Sequence, residues 1–153
     1  MAYYHNGYNP NGNGGQRQSN PEDYKIMDEY GKVLDFKPIW ITNGADQSMV
    51  DYTRATGKKL AQGGLSSSKI RNIYGEIKRI QMGSYEAYKS SFLLLQPKVA
   101  YLVGRDPKNL GIRIFQDIFE KASKLVSNDK TYQNFCNLME ALVAYHKFFG
   151  GKD

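Results

Sequence analysis

From about residue 46 onward, apolar positions recur three and four apart, and glycine, proline or serine interrupts the pattern often enough to predict five helices. The first spans about 46 to 62 and ends at Gly63 and Gly64, which suit a left-handed C-terminal cap. The second opens on Ser66, Ser67 or Ser68 as N-cap and runs to about 81. At about 100° per residue, Ile70, Ile73, Tyr74, Ile77 and Ile80 fall in one arc of it, with Arg71, Lys78 and Arg79 roughly opposite. A third, about 85 to 104, aligns Tyr85, Tyr88, Phe92, Leu95, Val99 and Leu102, and Pro97 is expected to kink or split it. A fourth, about 107 to 127, aligns Phe115, Ile118, Phe119, Ala122 and Leu125. The fifth, about 130 to 149, aligns Phe135, Leu138, Met139, Leu142, Tyr145 or His146, and Phe149, and stops at Gly150 and Gly151.

The front of the chain reads differently. Residues 1–20, MAYYHNGYNPNGNGGQRQSN, hold almost no aliphatic side chains, a composition that does not offset the entropy of ordering. They are expected to form a disordered tail. Residues 21–45 mix acids with isolated apolar groups, and Pro38 and the TNG at 42–44 break any long helix, so FKPIWIT is expected to run extended with Trp40 buried beneath it. The fold class is therefore all-α: a small bundle of about five helices over 46–153, an irregular N-terminal extension over 21–45 and a disordered Asn/Gly/Tyr-rich tail.

Charge adds a direction to this picture. The chain of 153 residues carries 21 basic and 15 acidic residues, a net charge of +6, which suggests a polyanionic partner. Between Lys58 and Arg113 lie eleven Lys or Arg against three acids, so the excess is concentrated in the middle of the chain. Arg71, Lys78 and Arg79 form an aligned basic face read as free of intervening acid, and Lys98 and Arg105, seven residues or about two turns apart, share a face of the next helix. Rows of cations suit a phosphate backbone, which repeats charge regularly and is bound without base contacts. Gly75 sits among the cations of its helix, where Gly costs about 1 kcal/mol relative to Ala, so either a close approach to the backbone or helix packing accounts for it. Tyr74, Tyr85 and Tyr88, at helical spacing, are expected in the core.

No catalytic constellation emerges. His5 falls in the tail, His146 and Cys136 are about 15 Å apart along one helix, and both of the latter read as packing residues. Glu76, Glu86, Asp106, Asp117 and Glu120 have no metal-ligand spacing, and the glycines form no phosphate loop. Neither an enzymatic activity nor a cofactor is expected. A single cysteine rules out a disulfide framework, no window reaches the length of a membrane span, and a cytoplasmic location without membrane contact is expected.

Three stretches resemble a known family. LSSSKIRNIYGEIKRIQ (65–81), QPKVAYLVGRD (96–106) and MEALVAYHKFFGGKD (139–153) are similar, in this order, to segments of the small subunit of type III-A CRISPR interference (Csm) complexes. Residues 1 to about 45 match nothing in that pattern. The resemblance implies an all-helical subunit without catalysis of its own. It would stack in several copies beside guide RNA and target RNA, touching other copies of itself and the backbone and large subunits. It carries an RNA-contacting role onto Lys69, Arg71, Lys78, Arg79, Lys98 and Arg105, while Lys58 and Lys59 are candidates from charge alone. The competing readings are an autonomous helical nucleic-acid-binding protein, a structural adaptor and a small hydrolase.

Overall fold

The computed structural model describes residues 20–152, so the expected tail lies, apart from Asn20, outside the described residues. A single 3-10 turn (Pro21–Tyr24) leads into a two-stranded antiparallel hairpin, β1 (Ile26–Met27) and β2 (Val33–Leu34). Helices follow: α1 (Ile39–Thr42), α2 (Gln47–Gln62), α3 (Ser67–Gln81), α4 (Tyr85–Leu93), α5 (Leu95–Arg105), α6 (Leu110–Ser123) and α7 (Asp129–Phe148).

Local chemistry accounts for most of the boundaries. Asp46, Ser66, Ser84, Asn109 and Asn128 each accept a first-turn backbone N–H through the side chain, opening α2, α3, α4, α6 and α7. Asn128 and Thr131 do so reciprocally as a capping box. Helices α2 and α7 are each followed by a glycine in the left-handed region, Gly64 at φ 90° and Gly150 at φ 84°. The long third helix is split, as Pro97 implied: α4 ends at Leu93 and α5 begins at Leu95. An unbroken helix would need an N–H at Pro97 to donate to the Leu93 carbonyl, and proline has none.

The amphipathic faces meet on α7. Phe135, Leu138, Met139 and Leu142 are fully buried, and Phe135 packs edge-on to Phe92 of α4 and Phe119 of α6 with ring centroids 5.3 and 5.5 Å away. Two glycines set the spacing of the helices. A Cβ at Gly57 would lie 2.6 Å from the Cβ of Tyr145, and one at Gly111 would lie 2.6 Å from the carbonyl of Leu60. Helix α2 therefore approaches both α7 and the start of α6 backbone to backbone, and Gly111 N donates to Gly63 O at 3.1 Å.

FKPIWIT departs from the extended run expected of it. Residues 39–42 form one helical turn closed by Asn43 N donating to Ile39 O at 2.8 Å. Trp40 and Ile41 are both buried in the common core, a placement that adjacent residues of a strand, pointing to opposite faces, do not allow. Trp40 Nε1 donates to Asp46 Oδ1 and Ser48 Oγ, each at 3.0 Å, and Asn134 Nδ2 of α7 donates to Ile41 O at 2.8 Å. Together with Ile26, these residues seat the segment before α2 against the bundle.

Candidate nucleic-acid interface

Helices α3 and α5 run antiparallel, and two ion pairs record the register. Lys69, in the first turn of α3, lies 3.4 Å from Asp106 just past the end of α5, and Glu76, midway along α3, lies 3.8 Å from Lys98 on α5. Between the helices a shallow groove is lined by Asn72, Ile73, Leu94, Pro97, Tyr101 and Leu102. Tyr101 is 63% exposed, and the Arg105 guanidinium sits 5.9 Å from its ring centroid. Four cations, Lys69, Arg79, Lys98 and Arg105, thus border the α3–α5 seam with two carboxylates, Glu76 and Asp106, leaving two net positive charges there.

Helix geometry separates this edge of α3 from an outer row. On α3, Lys69, Glu76 and Arg79 border the α5 seam, whereas Arg71, Gly75 and Lys78 follow at i, i+4 and i+7 on the exposed face. The edge is not free of acid, contrary to the expectation for this face. Glu76 Oε2 accepts from Arg79 Nη2 at 2.8 Å as well as neighbouring Lys98. The hydrogen bond from Arg79 holds the Glu76 carboxyl below its ordinary pKa, and the same bond raises that of Arg79. The spacing of three between Glu76 and Arg79 made this pair legible in the sequence.

In the outer row Arg71 Nε donates to Ser67 O at 3.3 Å, and Lys78, exposed, makes no ion pair among the described residues. Gly75 is exposed between them, and a Cβ there would meet nothing within 4 Å. Helix packing within the chain, one of its two expected explanations, therefore does not account for this glycine. What precedes α3 is held firmly. His146 Nε2 donates to Leu65 O at 2.6 Å, Ser67 N donates to Lys152 O at 2.6 Å, and Ser67 Oγ donates to Gly151 O at 2.8 Å. The C-terminal segment thereby anchors the helix that presents the cations.

Lys58 and Lys59 do not join the set. Lys59 Nζ donates to the Lys25 carbonyl, and Lys58 Nζ lies 5.9 Å from the ring centroid of Phe149. Of the tyrosines expected in the core, Tyr74 and Tyr85 pack against it, but Tyr88 is 38% exposed, with its ring lying against the bare Cα of Gly83. The exposed Tyr101 was not among the residues singled out by pattern, although it occupies the same helical row as Lys98 and Arg105.

The remaining candidate chemistry is absorbed by packing. Cys136 is buried on α7, and desolvation pushes its thiol up to about 11. His146 is 1% exposed and donates its Nε2 proton to Leu65. Among the described residues no three His, Cys, Asp or Glu side chains cluster to hold a metal ion, and no helix is long and apolar enough to cross a membrane.

Comparison with known proteins covers the same elements. Residues 44–152, from just before the Asp46 cap of α2 to the end of the described chain, match the family model Csm2 Type III-A. Over 43 residues the chain is 51% identical to the CRISPR system Cms protein Csm2 of Streptococcus thermophilus, a stretch covering 25% of this chain and 36% of that protein. No solved structure matches. With most of its length matched by the family model, the chain belongs to the type III-A Csm2 family, the small-subunit family of the Csm complex.

Proposed function

We propose that the chain is a non-catalytic, RNA-binding small subunit that stacks in several copies along the guide RNA and target RNA of a type III-A complex in antiviral defence. The target strand is held by contacts to its backbone. The outer row of α3 carries this reading: Arg71 and Lys78 flank an exposed Gly75, a bare stretch of helix backbone between two cations. A subunit repeated along a paired strand must accept any sequence, so it binds phosphates and sugars and leaves sequence reading to guide pairing. Lys69, Arg79, Lys98 and Arg105 extend the positive surface across the seam.

Leu93 and Leu94, 56% and 60% exposed at the α4–α5 corner, offer apolar surface beside the α3–α5 groove for a neighbouring copy or a backbone subunit. Purification from the native host tests the whole reading. A small subunit brings down guide RNA and the other Csm proteins at fixed ratio, and sequencing of the bound RNA returns guides of many sequences. Recovery of the chain alone, or with RNA but no Csm proteins, leaves the autonomous binder or adaptor in its place.

A further inference from the structure

Two cations that the α3–α5 seam leaves aside converge elsewhere. Arg54 and Lys58, four residues apart and hence on one face of α2, lie against the aromatic end of α7. The Arg54 guanidinium carbon is 5.5 Å from the ring centroids of both Phe148 and Phe149 and 6.0 Å from that of Tyr145, and Lys58 Nζ is 5.9 Å from Phe149. Among the described residues neither cation forms an ion pair, whereas Lys69, Arg79 and Lys98 all do. Opposite them the β1–β2 turn presents Tyr30, which is 87% exposed. Between the turn, α2 and Phe149 lies a cleft of about 310 Å³.

The lining narrows the ligand. Aromatic faces beside unpaired cations are the pairing that single-stranded nucleic acid uses, with bases stacked and phosphates neutralised. Glu29 and Asp51 line the same cleft, so a free phosphate ion meets as much repulsion as attraction, while carboxylates can accept from the amino and imino groups of a base. Asp28, also in the lining, is occupied: its Oδ1 accepts from Tyr30 N and Lys32 N at 2.9 Å each and so fixes the turn that carries Tyr30.

We infer that this cleft holds one nucleotide of single-stranded RNA, its base against Tyr30 and its phosphate against Arg54 and Lys58. The inference rests on the proposed RNA-binding function and adds a binding point apart from the α3–α5 seam. The test is photo-crosslinking of the assembled complex to single-stranded target RNA containing 4-thiouridine, with the crosslinked peptides of this chain identified. Crosslinks to peptides holding Tyr30 or Phe149 are expected. Tyr30→Leu, at a position too exposed to disturb the core, should lower their yield at least about fivefold, the loss of one stacking face. Arg54→Gln with Lys58→Gln should do the same, while Lys121→Ala with Lys124→Ala, at exposed cations outside the cleft, leaves this crosslink in place. Crosslinks confined to α3 and α5 overturn the cleft assignment but leave RNA binding standing, whereas no RNA crosslink to any part of the chain overturns both. Amine crosslinks from Lys58 to another protein subunit, with no RNA crosslink at Tyr30 or Phe149, make the cleft a protein interface and also overturn the inference.

Discussion

Glu76 on α3 lies 3.8 Å from Lys98 on α5, and the same carboxylate oxygen accepts from Arg79 at 2.8 Å. One acid therefore ties two helices together and neutralises part of the cation row nearest the groove. Removing it is informative: Glu76→Gln leaves the side chain's shape and adds one net positive charge to the proposed RNA surface. These pairs are exposed, so the stability cost should stay within about 1 kcal/mol. RNA retention should tighten at low salt, and the log–log salt dependence should steepen by up to about 0.7 for each further phosphate neutralised on a single strand. Filter binding over a salt series reads both.

The sign of the pH effect follows from the same pair. Glu76 has its carboxyl lowered from an unfolded value near 4.5, first by the hydrogen bond from Arg79. Its contribution to holding α3 against α5 is full above that unfolded value and is lost as pH falls through the lower folded one. Titration of the Glu76 side-chain carbon by NMR should give a midpoint below 4.5 in the wild type, and it should move up in Arg79→Gln.

Two glycines should respond in opposite ways to a methyl group. At Gly57 a Cβ would lie 2.6 Å from the Tyr145 Cβ and 2.7 Å from His146 N, so Gly57→Ala forces α2 from α7 and should cost about 1–3 kcal/mol in urea unfolding. At Gly75 nothing lies within 4 Å, and Gly75→Ala should stabilise the chain by up to about 1 kcal/mol through helix propensity. If RNA approaches the backbone there, the same stabilised variant should hold target RNA less tightly.

Leu142, fully buried on α7, tests the core. Leu142→Ala should lower the unfolding free energy by about 2–5 kcal/mol, measured by urea denaturation.

Periodicity carried most of the architecture. Phe92, Leu95 and Val99, then Phe115, Ile118, Phe119 and Ala122, then Phe135, Leu138, Met139 and Leu142 stood at helical spacing and are buried together. The break near Pro97 was equally readable, because a missing N–H acts locally. What escaped depended on partners distant in sequence. Trp40 and Ile41 fold into a helical turn because α7 and the Asp46 cap receive them, and nothing in FKPIWIT announces those neighbours. Helical angles aligned Arg71, Lys78 and Arg79 but not the Lys98 that shares Glu76 across the seam, since that ion pair needs the register of α3 against α5. The aromatic cradle of Arg54 was hidden for the same reason: it joins residues about ninety positions apart.

The outer row of α3, as proposed, holds the target strand through its backbone. The decisive measurement is target-RNA retention by the assembled complex containing Arg71→Ala with Lys78→Ala, over a salt series and with several target sequences. Lys121→Ala with Lys124→Ala, two exposed cations on and just beyond α6, is the charge-matched control. Retention should weaken for every sequence, and the salt slope should flatten by about 0.7 for each phosphate no longer neutralised, multiplied over the copies, with the control near wild type. Retention equal to wild type at both low and high salt, in a complex that still assembles, would show that Arg71 and Lys78 do not hold the strand.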